Sequence, residues 1–240
     1  MSHALLRSLW LDPAYVRDAF PFTLPAVRPL IGEPLELASE VTFLVGENGT
    51  GKSTIVEALA AKLDLDVEGG DRDLRFEERE ADTDLHVALR IARGSRRPSM
   101  QYFLRAESFF NVARTVDAHE GLLARHGGRP LHAMSHGESF LALANERFLP
   151  DGLFVLDEPE AALSPVGQLG LLRRMRELAL DGAQFVVATH SPILLAYPGA
   201  TIYELSDAGI ERVGYEQTDH YRLTRAFLEA PERFLGELFA

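Results

Sequence analysis

Three short stretches of this chain concentrate side chains that could do chemistry. Gly46-Glu47-Asn48-Gly49-Thr50-Gly51-Lys52-Ser53-Thr54 fills the spacing G-x-x-x-x-G-K-[ST] at every specified position. Glycines at those places let the backbone wind tightly enough for successive N–H groups to face one anion. Lys52 adds a positive charge for a β/γ-phosphate, and Ser53 offers a hydroxyl to Mg²⁺. A second stretch, Leu153-Phe154-Val155-Leu156-Asp157-Glu158-Pro159-Glu160, ends an apolar run in adjacent carboxylates. Asp157 suits a divalent cation, and Glu158, one residue further, can orient or deprotonate a water. The third, Thr189-His190, sets an imidazole after another apolar run, where a lone histidine is more often structural than chemical.

These groups can act together only if one scaffold presents them at one edge. Val41-Thr42-Phe43-Leu44-Val45 reads as a buried strand entering the glycine loop, and Ile55 to Leu63 consists of helix formers leaving it. Leu153 to Leu156 and Phe185 to Ala188 read as further buried strands, whose carboxyl ends carry Asp157-Glu158 and His190. Between them, Ser164 caps a helix with Pro165 at its first position, and Asp181-Gly182 closes it. Strands alternating with helices predict an α/β fold with a mainly parallel core. Thr201 to Leu205 and Ile210 to Val213 flank a hairpin turn at Ser206-Asp207-Ala208-Gly209.

The flanking regions are less regular. Five prolines between residues 12 and 34 predict irregular chain, followed by a short strand at Leu35-Glu36-Leu37 in an N-terminal antiparallel β layer. Glu68 to Asp84 predicts a charged surface loop leading to Leu85 to Ile91. Met100 to Phe110 reads as a strand entering a helix, Gly127-Gly128-Arg129-Pro130 as a break, and Glu138 to Leu149 as a helix. Tyr221 to Phe239 alternates apolar and charged residues as a packed amphipathic helix would.

Met134-Ser135-His136-Gly137-Glu138-Ser139 admits two compatible readings. Ser135-x-x-Glu138 is a capping box at a helix start, which by itself requires no function. The segment also resembles the ABC signature motif, with Met134 and His136 as departures, and it precedes Asp157 by 22 residues. With the phosphate loop, the Asp157-Glu158 pair and Thr189-His190 in the expected order, residues 35 to 205 resemble an ABC-type ATPase. They look like the stand-alone kind often labelled AAA family ATPase, related to the heads of RecF and SMC proteins, which implies a P-loop NTPase fold with a RecA-like, mainly parallel sheet. The alternatives are the nucleotide-binding subunit of an ABC transporter and a slow-hydrolysing nucleotide-dependent binding switch of DNA-repair or antiphage type. The resemblance implies Ser135, His136, Gly137 and Glu138 acting across an ATP-bound dimer, Ser53 and Asp157 as Mg²⁺ ligands, and Glu158 and His190 as catalytic groups. It implies a D-loop at Ala161-Ala162-Leu163-Ser164. The expected Q-loop glutamine is missing; Glu107 is the candidate replacement and Gln101 a weaker one. An adenine contact is not assigned, with Phe20, Phe22 and Arg28 open. On this basis residues 1 to 240 form one domain, with a nucleotide-binding core at 35–76 and 150–240 and a small helical signature subdomain at about 77–149.

Composition limits what such a domain could bind. Formal net charge is −12, with a pI near 5.1, which argues against indiscriminate attachment to nucleic acid or anionic membrane. Arg90, Arg93, Arg96, Arg97 and Arg105 form one local basic cluster, readable as a solvated loop, as an internal phosphate contact, or as a local basic patch; a nucleic-acid or protein partner stays open. There are no cysteines, so thiolate metal sites and disulfides are excluded. No run approaches 18 apolar residues, and nothing near the N-terminus reads as a signal peptide, so a soluble, cytoplasmic protein is expected.

Overall fold

A computed structural model describes residues 4–37, 40–71, 84–118, 130 and 133–240. Its centre is a six-stranded sheet: β3 (Val41–Gly46), β5 (Gln101–Arg105), β6 (Leu153–Asp157), β7 (Gln184–Ala188), β8 (Thr201–Ser206) and β9 (Gly209–Val213), in the order β5-β6-β7-β3-β8-β9. All neighbours are parallel except the β8–β9 hairpin. Every residue of β3, β6 and β7 is buried, as strands covered on both faces must be.

Alternation along these strands divides the core. Leu44, Val155 and Val186 point into one cluster with α1 (Lys52–Lys62) and the N-terminal layer. Phe43, Val45, Leu156 and Val187 point into the other, against α3 (Phe109–Ala118), α4 (His136–Arg147) and α5 (Pro165–Leu180). Within the second cluster Phe148 stacks on Phe154 at 4.3 Å between ring centroids, and Phe154 on Phe185 at 5.0 Å.

The N-terminal layer is a three-stranded antiparallel sheet of β2 (Leu35–Glu36), β1 (Leu6–Leu11) and β4 (Leu89–Arg93), with β1 in the middle. One side chain ties this layer to the main sheet. Gln184, buried at the start of β7, accepts from the N–H groups of Leu5 (2.9 Å) and Leu6 (2.8 Å), and donates to the carbonyls of Leu6 (2.8 Å) and Leu37.

Three expectations change. The segment at about 77–149, read as a helical subdomain, also contributes β4 and β5 to the sheets, and among the described residues its longer helices are α3 and α4. A four-residue helix, α2 (Leu85–Ala88), precedes β4 where the apolar pattern alone offered no boundary. Tyr221 to Phe239 forms two helices rather than one, α7 (Asp219–Glu229) and α8 (Pro231–Leu238), separated where Pro231 bars the preceding residue from helical geometry. A short helix, α6 (Pro192–Leu195), follows β7. Leu223, Leu228 and Leu238 stay largely in solvent, so much of the apolar face of this helical pair is uncovered, although the N-terminus of α7 is held. The charged loop and the Gly127-Gly128-Arg129 break lie largely outside the described residues.

Candidate functional site

The site sits at the carboxyl ends of β3, β6 and β7. Gly46 closes β3 beside its parallel-strand partner Leu205: a Cβ there would stand 2.2 Å from the Leu205 carbonyl oxygen. Only glycine permits that approach, and it fixes where the loop starts. Gly51 caps α1 in a left-handed conformation, φ 104°, and aims the helix N-terminus into the loop. Lys52 Nζ donates to the carbonyls of Gly46 (2.8 Å) and Glu47 (3.0 Å), holding the ammonium inside the loop's curve. Thr50 Oγ1 donates to Glu47 O at 2.9 Å, closing the turn through Asn48 and Gly49. Burial lowers the Lys52 pKa, while Glu158, Asp157, Glu160 and Glu47 oppose that shift.

β6 delivers the carboxylates. Asp157 is 3% exposed and accepts a hydrogen bond from Ser53 Oγ at 3.0 Å, so the two proposed cation ligands already touch. Burial pushes the Asp157 carboxyl up to about 7, although the Arg105 guanidinium and the Ser53 hydroxyl pull it down. Glu158 occupies a left-handed conformation, φ 47° and ψ 50°, directly before Pro159. Such a backbone costs about 1–3 kcal/mol in a residue with a Cβ, and it turns the side chain out of the strand line. Glu158 Oε1 then lies 3.2 Å from His190 Nε2, close but not aligned as a hydrogen bond.

β7 ends in Ala188, and the chain then presents Thr189, fully buried, and His190. The His190 N–H donates to Glu160 Oε1 at 2.5 Å, which fixes the backbone beside Glu158. Burial and then Lys52 lower the His190 pKa, while Glu158 opposes that shift. Burial raises the Glu160 carboxyl.

Ser135 caps α4, where both halves of the capping box form: its N–H (2.9 Å) and hydroxyl (2.7 Å) donate to Glu138 Oε2, and the Glu138 N–H donates back at 3.4 Å. Ser135, His136 and Glu138 are exposed. Gly137 packs beside Ala162, where a Cβ would lie 3.3 Å from the carbonyl oxygen. Ala161 and Ala162 form a 3-10 turn, and Ser164 caps α5 by accepting from the Gly167 N–H at 3.2 Å.

Some sequence candidates fall elsewhere. The Glu107 side chain is 79% exposed and bonds Arg105 at 2.8 Å rather than entering the site. Gln101 stands at the opposite end of β5, four residues of extended chain away. The side chain that β5 does bring to the carboxylates is Arg105, whose Nη1 is 2.6 Å from Glu57 and whose Nε is 3.6 Å from Asp157. Its position at the end of the apolar run Tyr102-Phe103-Leu104 was the available signal. Arg90 pairs with Asp12 at 3.0 Å and Arg96 with Asp151, so much of the basic cluster makes internal ion pairs. Phe22 is buried in the core, while Phe20 and Arg28 are exposed. Sequence reading also missed His220, at the start of α7, whose Nε2 lies 3.0 Å from His190 Nδ1.

A glycine loop at the end of β3, a helix N-terminus behind it and a carboxylate pair on a nearby parallel strand define a P-loop nucleotide-binding domain. Comparison with known proteins narrows this class. Residues 23–112 match the "AAA domain" family, and residues 125–196 match "AAA domain, putative AbiEii toxin, Type IV TA system". The hemin import ATP-binding protein HmuV of Streptomyces coelicolor is 34% identical over 190 residues, 70% of this chain and 66% of that protein. The cobalt import ATP-binding protein CbiO of Salmonella typhimurium is 30% identical over 189 residues, 71% of this chain and again 66% of the relative. Among solved structures, cbiO1 of Clostridium perfringens superposes with a TM-score of 0.50 at 16% identity, covering 98% of this chain and 99% of that one. The chain is a P-loop domain similar to ABC-type ATP-binding proteins, and it spans just under two thirds of the length of these two relatives.

Proposed function

We propose that the protein binds Mg·ATP, pairs head to tail with a second copy around two nucleotides, and hydrolyses ATP to separate the pair. The observation that carries the reading is the contact between Ser53 and Asp157 beside Lys52, with Glu158 and His190 at the same sheet edge. Two hard oxygen donors 3.0 Å apart fit a cation that keeps waters and completes its shell from phosphates, as Mg²⁺ does. Ser53 and Asp157 would hold that ion, which when bound neutralises phosphate charge. Lys52 and the N–H groups of residues 46–54 bind the triphosphate. Glu158 accepts a proton from the water that attacks the γ-phosphorus, while the bond to the β-phosphate oxygen breaks and ADP leaves with inorganic phosphate. His190 donates from Nε2 to the γ-phosphate. Ser135 and the N-terminus of α4, both exposed, face the nucleotide of the other copy. Glu158→Gln should keep ATP binding and reduce turnover by about 10² or more, the scale of general-base catalysis. Wild-type turnover in that variant, measured by phosphate release, would remove Glu158 from the mechanism.

We propose a stand-alone cytoplasmic protein as the setting, a reading supported by the AAA-domain family matches over residues 23–112 and 125–196. The names of the relatives favour a second reading, the nucleotide-binding subunit of a membrane importer. Purification of the Glu158→Gln protein with ATP from native cells separates the two. Transmembrane subunits retained in a fixed ratio would establish the importer reading.

A further inference from the structure

The two histidines at this edge come from segments thirty residues apart, and neither the glycine loop nor the carboxylate pair explains the second. His220 is the second residue of α7, and its place is fixed from several sides. Thr218, fully buried, caps the helix by accepting from Tyr221 N–H at 3.3 Å and donates to Tyr215 O at 2.8 Å. The Asp219 N–H donates to Glu204 Oε1 at 2.9 Å. The imidazoles of His190 and His220 meet at 5.1 Å between centroids, tilted by 53°.

A neutral imidazole carries one N–H and one lone pair, so only one of its nitrogens can donate. Near His190 Nε2 lies Glu158 Oε1, a carboxylate oxygen that repels a lone pair and favours a proton on that nitrogen. If Nε2 carries the proton, Nδ1 is an acceptor, and the contact at 3.0 Å requires His220 Nε2–H as donor. This orientation leaves His220 Nδ1 as a bare lone pair, and that atom is buried without a partner among the described residues. His190 Nε2 is likewise buried without an aligned acceptor among the described residues, so a proton there has no hydrogen-bond partner in the free chain.

We propose that His220 is a positioning residue for His190: by donating to Nδ1 it holds the imidazole in the tautomer and rotamer that presents Nε2–H at the nucleotide edge. The role rests on the hydrolysis reading for its consequence, but not for its geometry. It gives the C-terminal helical pair a direct link to the site, because any shift of the α7 N-terminus changes the donor on Nδ1.

The test uses the full chain with ¹⁵N-labelled histidine. In the wild type the His190 ring should show a lone-pair nitrogen at δ1 and a protonated nitrogen at ε2. His220→Phe should mix the two tautomers and lower kcat about tenfold, part of what an acid–base or orienting group contributes, with KM little changed. His220→Gln, whose amide nitrogen falls near the position of the imidazole Nε2, should restore both the spectrum and most of kcat. A His190 spectrum unchanged in His220→Phe would overturn the proposal, as would a Gln variant as impaired as the Phe variant. If the wild type itself failed to hydrolyse ATP, the hydrolysis reading would fall, while the spectra would still decide the tautomer.

Discussion

Asp157 illustrates how a residue can be costly before it is useful. Its carboxyl, ordinarily near 3.8, is raised to about 7 mainly by burial. A carboxyl raised on folding favours the native state while protonated, so its contribution is full below the unfolded value and is lost as pH rises through about 7. At about 1.4 kcal/mol per unit, the loss amounts to a few kcal/mol by pH 8. Without nucleotide, Asp157→Asn should therefore melt above the wild type at pH 8, while the two should nearly coincide near pH 4. Mg·ATP should reverse the order by raising the wild type and leaving the variant almost unmoved. Equal melting temperatures at both pH values, read by calorimetry, would mean that Arg105 and Ser53 fully compensate the buried charge.

At the scale of elements, the junction between the two sheets depends on Gln184. Its side chain serves two N–H groups and two carbonyls of the N-terminal layer. Truncation leaves buried polar groups unmatched, at about 1–3 kcal/mol each. Gln184→Ala should cost about 3 kcal/mol or more in denaturant unfolding, with β1 losing amide-exchange protection first; a loss under 1 kcal/mol would show that water or neighbouring backbone replaces the amide. No sequence pattern pointed to this residue, because its partners lie some 150 to 180 positions away. By contrast, the strands ending in Gly46, Asp157 and Ala188 were legible: each is a continuous apolar run, and each is buried on both faces. β1 was not, since Leu6, Leu9 and Leu11 lack strict alternation and only pairing with β2 and β4 defines the strand. The same limit explains the site. Glu158 and His190 adjoin apolar runs and could be read locally, whereas Arg105 and His220 become significant only once β5 and α7 are in place. Packing of the C-terminal helices was expected from their amphipathic pattern, but that pattern says which face is apolar and not whether anything covers it.

For the whole molecule, the arrangement divides the proposed nucleotide contacts between two separate features. Lys52, Ser53, Asp157 and Glu158 gather at one sheet edge, while Ser135 caps a helix whose first turn faces solvent. In the free chain the Ser135 hydroxyl and the Glu138 carboxylate satisfy one another. A γ-phosphate arriving from a second copy can take over the hydroxyl and meet the helix N-terminus, and charge-assisted hydrogen bonds of this kind contribute about 1.5–3 kcal/mol each. Against this stands the mutual repulsion of two chains that each carry a formal charge of −12. Association should therefore follow the nucleotide. Light scattering on Glu158→Gln should give a dimer with Mg·ATP and mainly monomer with ADP. Ser135→Arg in the same background should abolish the ATP-dependent species, because the larger side chain fills the space the phosphate would enter. The capping box predicts a control: Ser135→Asp retains a helix cap but sets a negative charge against the phosphate, so it should preserve folding and still block the dimer. A dimer that forms equally without nucleotide, and that survives both substitutions, would leave residues 134 to 139 as a helix cap and place the contact between copies elsewhere.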